Sequence, residues 1–433
     1  MSRLKISAAL SVVALVAACA SAGDRLNEGI SAEGAGRYYE AAMRYVYALD
    51  KDENLTEARD RLLSTGEIAI EEGVDNVRQQ VELQDPLGAA REFHPLDRLV
   101  SAARGVGVRL PIPDGYGELR RNMFDAAINT LMAVAEESEN RRQFSTARNA
   151  YEQIRDEFEP NAEQRQASRE GQSSLFLAWA RDEEANGRFR GAFQRADDAM
   201  AVSGGAPADM IDEAMALQDR VLEAGTRFVA IFPVELDPRL EGRGESDPAL
   251  QLADILELEH WREPPPFVAV ADPVAVRQLI RRYRRPGRAL RPARILEEMG
   301  SDFGVLIDIV NLTRSERNVR ETVRTARTEA GGTQRYTRQE GTQRYEIQVR
   351  VVIVDRAGRE VENFASGDNE SGPFQRGVYE GDLSDLNLSR SDAMLFDEAR
   401  HAQARAVIED RLLAQLAERV ANQVFERVLR RVR

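Results

Sequence analysis

The sequence predicts an α+β multidomain chain: an N-terminal α-helical, repeat-like region, then a compact α/β domain with a mixed sheet and a long C-terminal helix. Three observations predict it. From about residue 24 to 224 alanine is dense, strand-like runs are scarce, and apolar residues recur at helical spacing. Near Thr226 the period changes to short, continuous apolar runs separated by helical patterns, the mark of buried strands in an α/β layer. The last thirty residues carry one unbroken helical stripe. The expected division is 1–18 as a leader, 19–225 as the helical region and 226–433 as the α/β domain.

In chain order, the leader comes first. "SAALSVVALVAACASAG" (Ser7–Gly23) is the most apolar stretch. It is too short to span a membrane, which takes about 20 apolar residues across roughly 30 Å of hydrocarbon. Arg3 and Lys5, then an apolar core, then small residues give the layout of a secretory signal. Its end, Val16-Ala17-Ala18-Cys19, resembles the bacterial lipobox. That resemblance implies cleavage before Cys19, lipidation of its thiol and acylation of its new amine. Ala20 replaces the aspartate that retains many such proteins in the inner membrane. The implied location is the outer membrane, lipid-anchored and mainly periplasm-facing, with the lipid as the membrane contact. Several acyl chains, at about 0.8 kcal/mol per buried CH₂, anchor a protein without any span.

In the helical region one pattern recurs. "GRYYEAAMRYVYALDKDEN" places Ala41, Tyr45, Ala48 and Leu49 on one helix face behind a turn at Gly36. "RRQFSTARNAYEQI" repeats it with Phe144, Ala147, Tyr151 and Ile154, and "NGRFRGAFQRADDAM" with Gly187, Phe189, Ala192, Ala196, Ala199 and Met200. Each resembles the second helix of a tetratricopeptide repeat, although the spacing is irregular; a generic helical bundle is the plainer alternative. "GVGVRLPIPDGYG", with Gly105, Gly107, Pro111 and Pro113, breaks the array as a loop or elbow.

The second region opens with the buried strand "RFVAIFPV", followed by a Gly/Pro/Asp-rich loop, a helix over Ala249–Trp261, the strand "PFVAVAD", a helix from Pro273 and the strand "FGVLIDIV" (Phe303–Val310). In "YEIQVRVVIVDRAGREV" Tyr345, Ile347, Val349, Val351 and Ile353 share one face, and Asp355 starts a hairpin turn. This order resembles the periplasmic domain of the curli-secretion lipoprotein, the N-terminal domain of TolB, and lipoprotein activators of peptidoglycan synthases. The charged segment 313–346 reads as a polar hairpin turning near Gly331-Gly332. Residues 365–395 read as a long loop, with "GDNESG" at its tip.

Composition and motifs narrow the chemistry. The net charge is −14, and loss of Arg3 and Lys5 with the leader makes it two units more negative. That excludes the basic surface a nucleic-acid partner requires. Cys19 is the only cysteine, so a lipidated chain keeps no thiol for a disulfide, a zinc site or a nucleophile. Lys5 and Lys51 are the only lysines, which leaves no lysine nucleophile in the second region. His94, His260 and His401 fall in no metal-ligand spacing, and no catalytic or cofactor-binding motif is present. The expectation is a non-enzyme without cofactor or metal.

Two features suggest contacts. "RRYRRPGRALRPAR" holds Arg281, Arg282, Arg284, Arg285, Arg288 and Arg291, a candidate site for phosphate or carboxylate groups, or else a solvated loop. "GTQRY" occurs at Gly332 and again at Gly341. A shift of nine residues turns the two copies to opposite faces of one strand, so a bend intervenes or both faces are exposed. The hairpin's outward face lacks the alternating apolar residues of a lipid-facing strand, which disfavours a secretion-channel subunit. The last helix has apolar pairs every four residues from Leu412 to Leu429, a stripe that turns about 160° over its length. Either one chain buries it on two sides, or a partner or second copy covers its end. The expected role is a protein-binding scaffold or regulator among envelope proteins; the alternative is an enzyme or activator acting on peptidoglycan.

Overall fold

The computed structural model describes residues 21–202, 204–240, 247–284, 291–328 and 331–432. Cys19 lies outside them. The chain divides into two compact units, residues up to Arg181 with Arg195–Met215, and Asp182–Gln194 with the residues from Ala216 onward. The division is interleaved, where a single cut at 225/226 was expected. The period change at Thr226 marks where helix becomes strand, and contacts divide elsewhere. Phe193 packs edge-on against Phe267 at 5.5 Å, and Arg220 pairs with Glu184 at 3.3 Å, so the tips of the last helices belong with the sheet.

The helical elements are α1 (Ala22–Gly34), α2 (Tyr38–Lys51), α3 (Thr56–Glu82), α4 (Pro86–Arg91), α5 (Phe93–Gly105), α6 (Tyr116–Asn140), α7 (Phe144–Glu157), α8 (Ala162–Ala185), α9 (Phe189–Met200) and α10 (Ala208–Gly225). The expected faces are inside: Ala41, Tyr45, Ala48 and Leu49 on α2, and Phe144, Ala147, Tyr151 and Ile154 on α7, are buried. One turn recurs. After α1, Gly36 (φ +73°) and Arg37 donate to Glu33 and Ala32 at 2.9 and 3.0 Å. The same pair of bonds closes the turns at Gln84, Gly107, Arg142 and Gly187, all at positive φ. This αL cap satisfies the last carbonyls of each helix and reverses the chain. Gln84 and Arg142 fill a position that favours glycine, which hides those two turns in the sequence.

The second unit is built on a mixed sheet of order β3-β1-β4-β5-β6. Its strands are β1 (Arg227–Ile231), β2 (Glu235–Leu236), β3 (Val268–Val270), β4 (Phe303–Thr328), β5 (Thr333–Asp355), β6 (Glu360–Val378) and β7 (Leu386–Asn387); β2 and β7 pair with β4. β1 is parallel to β3 and β4, whereas β4, β5 and β6 run antiparallel. Helices α11 (Pro248–Ile255), α12 (Pro273–Tyr283), α13 (Pro292–Met299), α14 (Arg390–Ala393) and α15 (Glu398–Leu429) complete the unit. α11 and α15 cover one face, over Val305, Ile307, Ile347, Val349 and Val351; α12 and α13 cover the other, over Ala230, Phe232 and Val354.

Two expectations change here. Residues 365–395 are not one long loop: β6 continues to Val378, paired residue by residue with β5, and "GDNESG" lies within it. Gly372, Pro373 and Gly377 conceal the strand, yet each has a place. A Cβ on Gly377 would sit 2.4 Å from the Phe396 ring, and one on Gly372 2.7 Å from Ile408. Pro373 is tolerated because β6 is an edge strand. The stripe of α15 is buried to its end within the chain: Val424 and Val428 are inside, and Phe425 meets Trp261 edge-on at 5.2 Å.

Candidate functional site

β5 changes its buried side along its length. From Tyr345 to Ile353 the odd positions are buried beneath α11 and α15. At the hairpin tip the even-numbered Tyr336 is buried instead, among Ala326, Leu386, Leu395 and Phe396. The duplicated pentapeptides therefore do place their tyrosines on opposite faces, and each face has its own cover. The tip's cover is the chain returning from β6 through β7 and α14 into α15. Two packing layers switch sides between Tyr336 and Tyr345, and the irregular pairing of β4 between Arg317 and Arg320 accompanies the switch.

A cavity of about 780 Å³ lies at this switch. β4 supplies Arg314, Glu316 and Arg324; β5 supplies Arg338, Arg344 and Tyr345; β6 supplies Phe374 and Arg376. The far wall is Asp392 and Leu395, then Glu398, Arg400, His401, Arg405 and Ile408 of α15. Seven arginines thus line one cavity of an acidic protein, against three carboxylates.

The arginines differ in how firmly they are held. Arg376 grips Glu316 with two bonds of 2.8 and 3.0 Å and donates to Gln339 at 2.8 Å. Arg338 pairs with Glu340 at 2.8 Å, and Arg314 pairs with Glu409 while lying over the Tyr345 ring at 5.4 Å. Arg344 reaches Glu346 only at 3.8 Å, and Arg405 reaches Glu398 at 3.9 Å. Arg400 donates to the Met394 Sδ at 2.9 Å. The Nε–H groups of Arg338 and Arg344 are buried without an acceptor.

Asp392 stays ionised beside these cations. The Ser389 hydroxyl, which donates to it at 2.7 Å, and then the Tyr336 hydroxyl hold its carboxyl below the usual range, with Arg324 and Arg338 adding to the effect. Burial and Asp392 push the Tyr336 phenol up. The chemistry on offer is recognition of an anion by guanidinium forks, which match the geometry of carboxylate and phosphate.

The arginine cluster expected from sequence is placed elsewhere. Arg281 and Arg282 end α12, where positive charge complements the helix dipole, and Arg282 pairs with Glu298 at 3.0 Å. Arg284 and Arg291 are exposed, and Arg285 and Arg288 lie outside the described residues. None of the four described residues lines the cavity. Of the histidines, His94 packs between Phe124 and Phe158 at 5.9 Å from each ring, and His401 lines the cavity. The cavity residues escaped sequence reading because they come from strands about 60 residues apart and a helix beyond them. The arginine density of 313–346, joined to the nine-residue shift of "GTQRY", is the signal that points to them.

The fold and this site define an α+β chain with an arginine-lined cavity in its sheet-bearing unit. No family model matches the chain, and no curated protein matches it. Among solved structures it aligns with a hypothetical protein, CT253, of Chlamydia trachomatis at 12% identity, covering 45% of this chain and 96% of that one with a TM-score of 0.24. It also aligns with a minor lipoprotein of Acinetobacter baumannii at 9% identity, covering 46% of this chain and 94% of that one with a TM-score of 0.18. At these scores neither alignment carries an argument, and the functional reading rests on the residues. Among the described residues no helix is long and apolar enough to cross a membrane.

Proposed function

We propose that this chain is an outer-membrane lipoprotein, tethered through Cys19 and facing the periplasm, that serves an envelope assembly as a binding scaffold or regulator. The observation that carries the binding role is the cavity at the β5 switch, where seven arginines gather in a chain of charge −14. Its natural occupant is an anionic group. Turnover is a poorer account, because the cavity carboxylates are already engaged: Glu316 pairs with Arg376, Glu398 lies near Arg405, and Asp392 accepts from the Ser389 hydroxyl. The lipobox sequence supports the tether.

The tether is tested by labelling cells with a radiolabelled fatty acid. Cys19→Ala abolishes label on the protein and moves it from the membrane fraction to the soluble fraction. Retention of both label and membrane association refutes the tether. The binding half is tested by the melting temperature of the folded chain in pyrophosphate: the reading expects it to rise with concentration, and a flat response counts against an anion site.

A further inference from the structure

The cavity has two kinds of lining residue, cationic and apolar, and the apolar kind has no role in holding a bare anion. Among the guanidinium groups stand Phe374, Leu395, Ile408 and Met394, with the Arg376 guanidinium 5.3 Å from the Phe374 ring. A volume of about 780 Å³ is far larger than a phosphate needs and falls in the range of cavities that enclose whole organic ligands. The arginines are not spread evenly either. Arg314, Arg338 and Arg376 are held close to carboxylates, whereas Arg344 meets Glu346 only at 3.8 Å and Arg400 donates to the Met394 sulfur rather than to a carboxylate.

From this division we infer that the cavity binds an anionic amphiphile: a phosphate-type head held by Arg344 and Arg400, with a hydrocarbon body against Phe374, Leu395 and Ile408. The inference rests on the anion-binding reading above and adds the apolar body to it. The energetic requirement is modest. Discrimination of about 100-fold over a bare anion corresponds to about 2.7 kcal/mol. Burying about three or four methylenes of the hydrocarbon body supplies it.

The test is calorimetric titration of the full chain with dodecyl phosphate below its micelle concentration, with inorganic phosphate, and with uncharged dodecyl maltoside. Dodecyl phosphate is expected to bind one to one, about 100-fold tighter than inorganic phosphate. Arg344→Gln and Arg400→Gln are each expected to weaken it about tenfold. Ala404→Glu, at an exposed helical position on the cavity rim, is expected to abolish it while leaving the circular dichroism melt unchanged. If inorganic phosphate binds as tightly and with the same arginine dependence, the amphiphile inference falls and the anion site stands. If neither phosphate binds, both fall. If dodecyl maltoside binds as tightly as dodecyl phosphate, the charged head is refuted, and the anion site with it.

Discussion

Tyr336 and Tyr345 occupy the same place in two identical pentapeptides and do different work. Tyr345 is part of the main core beneath α15, and Tyr336 closes a small separate cluster at the hairpin tip. The Tyr336 hydroxyl also stabilises the Asp392 carboxylate beside the cavity. Because Asp392 titrates below its ordinary value, its contribution is present above the unfolded carboxylate range and is lost as pH falls through the folded value. Tyr336→Phe removes one support, and the expected cost at neutral pH is about 1 kcal/mol. In urea melts that deficit should vanish as pH falls through the folded value and both states become protonated. An unchanged deficit in acid would show that the loss is packing alone.

At the scale of elements, most of the second unit is legible in sequence. The runs "RFVAIFPV", "PFVAVAD" and "FGVLIDIV" all form strands, and the Asp355 turn closes as expected, with Gly358 N donating to Asp355 O at 2.7 Å. The far half of β6 is not legible, because Gly367, Gly372, Pro373 and Gly377 are residues that punctuate loops. For Gly372 and Gly377 the reason is tertiary, because a helix and an aromatic ring approach the strand too closely for a side chain. The turns at Gln84 and Arg142 are hidden for a local reason, since capping hydrogen bonds there hold a backbone that side-chain preference opposes. Gly377→Ala should therefore displace the Phe396 ring from the sheet and destabilise the chain by about 1–3 kcal/mol. Because Phe396 follows Leu395 of the cavity wall, the same variant should also weaken anion binding; a melt identical to that of the parent chain would contradict the proposed packing.

For the whole molecule, charge is the organising quantity. A chain with 73 acidic and 59 basic residues, nearly all arginine, resists broad adhesion to anionic surfaces and can still hold one concentrated cationic cavity. Sequence reading located an arginine-rich stretch at Arg281–Arg291 and a charged hairpin at 313–346, and it offered the first as a candidate anion site or else a solvated loop. The second became the cavity, because only folding brings β4, β5, β6 and the start of α15 around one space. Lysine, with its compact charge, would serve such a cavity less well than arginine, whose fork orients a tetrahedral or planar anion.

The central claim is that this cavity receives an anion, and a tungstate soak of crystals of the folded chain tests it most directly. The account predicts the strongest anomalous peak inside the cavity, within hydrogen-bonding distance of the Arg344 and Arg400 guanidinium groups, and its loss in Arg344→Gln/Arg400→Gln crystals. Peaks confined to other surfaces, with an empty cavity in the parent chain, would contradict it.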